Sequence, residues 1–132
     1  MKTTATILQQ MVRLAGVLQI ALGLLFWAGY ALDFIGIHML LGLLLVLLLW
    51  VLAGMAAWAR VSPALAALAI AWGLGTPILG MSQAQLLPGA AHWVIQLAHF
   101  LVGLVALSLA ETLARRLRTR ELATDSLREA FS

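Results

Sequence analysis

The sequence predicts an all-α integral membrane protein, an up-down bundle of four helices with both termini in the cytoplasm. Three observations lead to this fold class. Of the 132 residues, 64% are hydrophobic and only 10% are charged, whereas a soluble domain carries roughly 25% charged residues. Four apolar runs reach the length of about 20 residues that a membrane-spanning helix needs. The basic residues are confined to the two ends of the chain and to one of the connections between these runs.

The predicted spans fill most of the chain and cover approximately residues 14–32, 34–59, 63–84 and 91–114. We expect the first run to be retained as a helix, because no cleavage signature of small residues follows it. Ser62 and Pro63 predict the start of span three, with serine as the cap and proline as the first helical residue. Pro77 predicts a kink inside that span, because proline removes a helical hydrogen bond. The chain is therefore one bundle, residues 1–116, followed by a polar cytoplasmic tail, residues 117–132.

The basic residues predict which side of the membrane each connection faces. They are Lys2, Arg13, Arg60, Arg115, Arg116, Arg118, Arg120 and Arg128. Cytoplasmic connections carry an excess of Lys and Arg, so we expect a multi-pass protein of the inner (cytoplasmic) membrane. The C-terminal arginines suit contact with anionic membrane lipids, and they do not indicate binding to nucleic acid. The absence of cysteine excludes thiolate metal sites and the covalent attachment of c-type heme.

Two histidines lie inside apolar spans, and each has a glycine four residues further on: His38 with Gly42 in span two, and His99 with Gly103 in span four. Ionisable residues inside a membrane are costly and usually functional. From the predicted boundaries and a rise of 1.5 Å per residue, both imidazoles lie about 6–12 Å below the outer surface. Residues four apart share a helix face, so each glycine leaves room beside its histidine. The spacing predicts a b-type heme held by two axial histidines.

Span four continues this polar face toward the outer surface with Gln96 and His92. His92 is either an interfacial histidine, a partner of a heme propionate or an alternative ligand in place of His38. The alternatives for the histidine pair are a metal ion site, a quinone site and a structural hydrogen bond between helices. Because no cation lies on the outer side, heme propionates would depend on His92, Gln83, Gln85, Ser82 or water.

Through its two His-x-x-x-Gly segments the chain resembles the four-helix membrane b-type cytochromes, such as one half of a heme A synthase. The resemblance covers about ten residues and implies bis-histidine ligation from the second and fourth helices. Met39 and Phe100 stand where the synthase motif usually has a basic residue after the histidine. The counterpart of the synthase's carboxylate near the first helix is Asp33, which lies in the loop.

The expected function is electron transfer by a membrane protein that binds heme b near the outer face. The alternative is a non-catalytic subunit or scaffold of a larger complex that binds quinone, lipid or another tetrapyrrole. Membrane lipids, quinone, other membrane subunits and a second copy of the chain are the partners considered. The sequence leaves open whether the protein is an enzyme, such as a component of a quinol oxidoreductase. Near the cytoplasmic surface, Glu111 is expected to pair with Arg115 one helical turn away.

Overall fold

The computed structural model describes residues 2–131, and the chain over this range is helical with no strand. Its elements are α1 (Lys2–Trp27), α2 (Ile35–Trp58), α3 (Pro63–Ser82) and α4 (His92–Ala130), with short 3-10 turns at Leu32–Phe34 and Gln83–Gln85. Each of the four helices is long and apolar enough to cross a bilayer. The all-helical class and the number of helices are therefore as predicted.

The contacts between helices define two ends of the bundle. At the first, which we call the terminal end, Gln9 and Arg13 of α1 bond Glu111 of α4, and Arg116 bonds Ser62 before α3. At the second, the loop end, the α1–α2 and α3–α4 connections lie together. Sequential helices pack against each other, α1 also packs against α4, and α2 packs against α4 across the centre. The helices therefore alternate in direction, with α2 and α4 as the central pair.

Helix α1 ends earlier than the predicted span. Gly29 adopts a left-handed conformation with φ of 81°, its amide donates to the Phe26 carbonyl, and the Tyr30 amide donates to the Leu25 carbonyl. This is the Schellman arrangement, which closes a helix because glycine adopts the left-handed conformation without steric cost. The first span was predicted to run to residue 32, whereas the helix stops at Trp27.

The other helix limits show where local sequence signals act. Helix α3 begins at Pro63 as predicted, and Pro77 lies inside it. The Ser62 side chain does not cap this helix; its hydroxyl instead accepts a hydrogen bond of 3.0 Å from Arg116 Nη1. At the terminal end, the helix that contains the first apolar span begins at Lys2. The predicted polar tail is a continuation of α4 as far as Ala130.

The buried core occupies the terminal half of the bundle. Its largest fully buried side chains are Leu49, Leu52, Leu113, Leu117, Gln9 and Val12. Small residues on α3, such as Ala66 and Ala69, let that helix approach the same cluster. Residues 17–45 and 74–108 contain no buried residue. The bundle is therefore closely packed at the terminal end and open toward the loop end.

Candidate functional site

His38 of α2 and His99 of α4 face each other in the open half of the bundle. Their ring centroids lie 6.3 Å apart, and the ring planes are tilted by 56°. Phe26 of α1 contacts His38 edge-on, with a centroid distance of 5.2 Å. The two histidines that the sequence singled out are therefore neighbours across the central pair of helices.

Glycines on α1 and α3, the two helices beside the central pair, make room for both imidazole rings. A Cβ atom added at Gly23 of α1 would lie 3.7 Å from His38 Cε1. One added at Gly80 of α3 would lie 3.0 Å from His99 Cε1, which is closer than ordinary van der Waals contact. Each histidine thus packs against a glycine of a neighbouring helix, and the approach is closer at His99. Sequence reasoning did not assign a role to either glycine.

The two nitrogens of each ring lie in different surroundings. Among the described residues, the Nδ1 atoms of His38 and His99 are buried without a hydrogen-bond partner, and the Nε2 atoms are not among such buried atoms. Histidines that bind a metal usually donate from the other nitrogen to a carbonyl or carboxylate, and that partner is missing here. The Nε2 atoms are the nitrogens that remain available to a ligand.

The histidines line a large cavity that all four helices enclose. Its volume is about 890 Å³, near the upper end of the range of about 300–1,000 Å³ for ligand sites. The polar side chains on its wall are Gln19, His38, Thr76, Gln83, His92, Gln96 and His99. Most of the remaining wall is aliphatic or aromatic, and no Lys, Arg, Asp or Glu lines it. The cavity therefore suits a large, mainly apolar ligand.

The predicted site residues all line this cavity, but they do so in different ways. Gly42 lies against Gln19, since an added Cβ would be 2.9 Å from Gln19 Nε2, whereas nothing lies within 4 Å of a Cβ added at Gly103. His92 lies at the loop end, where its Nδ1 donates to the Leu86 carbonyl at 3.2 Å.

Two of the side chains named as propionate partners do not line the cavity: Ser82 bonds carbonyls of its own helix, and Gln85 is exposed. Gln83 and Gln96 line the wall together with His92. The polar side chains at the loop end of the cavity are therefore two glutamines and one histidine.

Leu107 and Ala110 of α4 line the terminal end of the cavity. A Cβ added at Gly16 of α1 would lie 2.7 Å from Leu107 Cδ2, so this leucine fills the space that the glycine leaves. One turn beyond it, Glu111 accepts hydrogen bonds from Arg13 Nε and Nη2 at 2.5 and 3.2 Å and from Gln9 Nε2 at 2.6 Å. An apolar layer therefore separates the cavity from an ion pair between α1 and α4.

The partner of Glu111 differs from the prediction. The sequence pattern predicted a bond with Arg115 on the same helix, and the hydrogen-bonded partners are Arg13 and Gln9 on α1. Helical spacing identifies neighbours within one helix, but it does not give the register between two helices. Sequence reasoning did not predict the cluster of Gln9, Arg13 and Glu111. The sequence feature that could have indicated it is an arginine and a carboxylate near the ends of two apolar runs.

Over residues 2–131, no group of three or more His, Cys, Asp or Glu side chains is arranged to hold a metal ion. Comparisons with protein-family models, curated proteins and solved structures found no match for this chain. The function must therefore be inferred from the histidine pair, the cavity and the distribution of charge.

Proposed function

We propose that the protein crosses the inner membrane four times with both termini in the cytoplasm. Large apolar side chains outside the cavity lining are exposed, including Val17 at 66%, Ile78 at 67% and Trp58 at 92%. Such a surface is stable in lipid, whereas a soluble monomer rarely exposes so large an apolar area. The basic residues lie at the terminal end, and the two connections at the loop end carry none, which is the positive-inside pattern.

We further propose that His38 and His99 would hold a b-type heme in the cavity and that the protein transfers electrons. The observation that carries this proposal is the 6.3 Å between the imidazole centroids. Metal–imidazole bonds are about 2 Å long, so two imidazoles that share one metal have ring centres on the order of 6 Å apart. The observed separation of the two ring centroids matches that distance.

The composition of the site favours heme over a bare metal ion. A protein-bound metal ion usually takes four or more ligands, and the chain supplies two histidines with no third ligand from the described part of the chain. A tetrapyrrole supplies the remaining ligands from its own ring, and the 890 Å³ cavity offers the space. A heme held by His38 and His99 would supply single-electron transfer at this site.

The chain's own side chains would position the group and keep water from it. The apolar wall lowers solvent access, which favours a stable low-dielectric site. The polar side chains at the loop end, Gln83, His92 and Gln96, are the hydrogen-bonding groups for acidic substituents of the ligand. No cation lines this part of the wall, so these substituents would reach the outer aqueous phase or bond neutral donors.

An optical spectrum of the protein purified from cells with ample heme tests the proposal. We expect a Soret band and sharp α and β bands on reduction. His38→Ala and His99→Ala should each abolish tight binding, because the remaining ligand alone does not hold the iron, whereas His92→Ala should retain the spectrum. A featureless wild-type spectrum, or retention of heme by both ligand variants, would contradict the proposal.

A second candidate function is a non-catalytic subunit of a membrane complex. It is favoured by the exposed face of α3, on which Ala64, Ala67, Ala71 and Gly75 follow one another. Small residues allow close packing between membrane helices. A partner protein that co-purifies in a fixed ratio with heme-free protein would favour this function, and a heme-containing bundle purified alone would favour the first.

A further inference from the structure

The cavity extends beyond the histidine pair toward the terminal end, where Gln19 lies. Gly23, one turn further along α1, faces His38, so Gln19 lies about 6 Å nearer the terminal end at 1.5 Å per residue. The Gln19 amide lies against Gly42 of α2, and Leu107 and Ala110 of α4 line the terminal end of the cavity. We call this part of the cavity the Gln19 compartment.

Gln19 brings an unused amide into this compartment. Its Oε1 atom is buried and has no hydrogen-bond partner within the described residues. A buried polar atom without a partner is unfavourable, and such atoms in native structures call for an explanation such as a ligand. A primary amide has both an acceptor oxygen and donor hydrogens. It can therefore accept from a hydroxyl group of a ligand or donate to a carbonyl group.

The surroundings restrict the ligand further. No Lys, Arg, Asp or Glu lines the cavity, and the apolar Leu107 layer separates it from the Arg13–Glu111 pair. A charged head group would be desolvated there without a counter-charge, which is costly. Leu24, Leu40 and Leu43 line the cavity and are each at least half exposed. The cavity wall is apolar at these leucines, which suits the apolar tail of a ligand.

We propose that the Gln19 compartment binds the neutral ring of a lipid-soluble quinone or quinol, with its carbonyl or hydroxyl group hydrogen-bonded to the Gln19 amide. The same amide serves both forms: Nε2, which is not among the buried unpaired atoms, donates to the carbonyl, and a rotation of the amide presents Oε1 to the hydroxyl. The role of this ring as an electron partner rests on the proposed heme function, whereas its binding does not. The ring lies about one helical turn from the histidine pair.

The test is a titration of the purified protein in nanodiscs with ubiquinone-1. Binding is measured by the quenching of tryptophan fluorescence, and quenching in empty nanodiscs is subtracted. Trp27 lines the cavity and provides a nearby reporter. We expect saturable quenching by wild type and a dissociation constant about fivefold higher for Gln19→Leu, since a hydrogen bond contributes about 1 kcal/mol. Gln10→Leu is the matched control, because Gln10 is an exposed residue of the same helix, and it should change binding less than about twofold.

Three outcomes separate this inference from the heme proposal. Saturable quenching that Gln19→Leu weakens supports the inference even if the optical spectrum shows no heme. A normal heme spectrum without saturable quenching overturns the inference and leaves the heme proposal intact. A changed heme spectrum in Gln19→Leu, with unchanged ubiquinone-1 binding, also overturns it, because Gln19 would then belong to the heme pocket. Gln19→Asn, which keeps the amide but shortens its reach, should bind with intermediate affinity.

Discussion

The terminal and loop halves of the bundle are built from the same helices but pack in opposite ways. In the terminal half, Leu49, Leu52 and Leu113 are at most 1% exposed, and the Arg13–Glu111 pair joins α1 to α4. In the loop half no described residue between 17 and 45 or between 74 and 108 is buried. The same four helices leave a cavity of about 890 Å³ there.

This difference separates stability from ligand binding. Close packing in the terminal half holds the helices in register, so the loop half can remain open without loss of the fold. A ligand in the loop half would then add the contacts that this half lacks and stabilise the folded form. Substitutions in the terminal half should change stability, and substitutions in the loop half should change occupancy of the cavity.

The largest effect is expected from truncation in the terminal core. Leu52→Ala should lower the free energy of unfolding by about 2–5 kcal/mol, because it leaves a cavity among fully buried neighbours. Leu40→Ala removes the same atoms from a side chain that is 68% exposed and should cost less than about 1 kcal/mol. Unfolding in mixed micelles with increasing dodecyl sulfate measures both. Equal losses would contradict the division between the halves.

The next effect concerns occupancy of the cavity. Gly103→Leu places a side chain where no atom lies within 4 Å of the added Cβ, so it should occupy space that the heme needs. We expect heme affinity to fall about 10- to 100-fold while the stability of the heme-free protein stays nearly unchanged. Gly54→Leu is the control, since Gly54 also has open space around it but does not line the cavity. Heme titration and unfolding measure the two properties, and unchanged affinity in Gly103→Leu would contradict the prediction.

A smaller effect is expected at the ion pair of the terminal half. A double-mutant cycle with Arg13→Leu and Glu111→Leu should give a small, stabilising coupling free energy, because the Arg13 side chain is half exposed and water screens such pairs. The exposed Arg60 has no bond to Glu111, so the cycle with Arg60→Leu should give almost none. Heme absorption should be unaffected by any of these changes. Coupling to Arg60 as strong as to Arg13 would contradict the pairing.

The smallest effect is expected at the two glycines that pack against the imidazole rings. Gly80→Ala brings a Cβ to 3.0 Å from His99 Cε1, so the ring must move by a few tenths of an ångström, whereas Gly23→Ala makes an ordinary 3.7 Å contact with His38. We expect Gly80→Ala to shift the heme reduction potential and the paramagnetic resonance spectrum with less than about tenfold loss of affinity. Gly23→Ala should change neither, and an equal shift in both variants would contradict the difference in packing.

The sequence was sufficient for the parts of the structure that depend on local patterns. Long apolar runs gave the four helices, and Pro63 gave the start of α3 because proline suits the first helical position. The end of α1 was less visible, because the helix stops at the left-handed Gly29 while the apolar residues continue to Leu32. Hydropathy measures apolar length, whereas the backbone conformation sets the helix limit.

The relations between helices were harder to predict. The histidine pair was found because both residues are polar in apolar spans, and the structure brings them together. The glycines nearest the imidazole rings, Gly23 and Gly80, were missed because they lie on other helices, and their contacts depend on how the helices pack. Local spacing instead pointed to Gly42 and Gly103. Both line the cavity, but a Cβ atom added at either glycine would have no imidazole atom among its nearest neighbours.

Helix α3 is fastened at only one side of its proline. Trp50 Nε1 of α2 donates to the Ile70 carbonyl at 3.3 Å, and Trp72 Nε1 donates to the Val102 carbonyl of α4 at 3.0 Å. Beyond them Pro77 interrupts the helical hydrogen bonds, and among the described residues no side-chain hydrogen bond to another helix follows before Ser82. The segment after Pro77 therefore relies on packing, such as that of Gly80 against His99, to keep its place in the cavity wall. Helix α3 thus divides as the bundle does, into a part that anchors it and a part that borders the cavity.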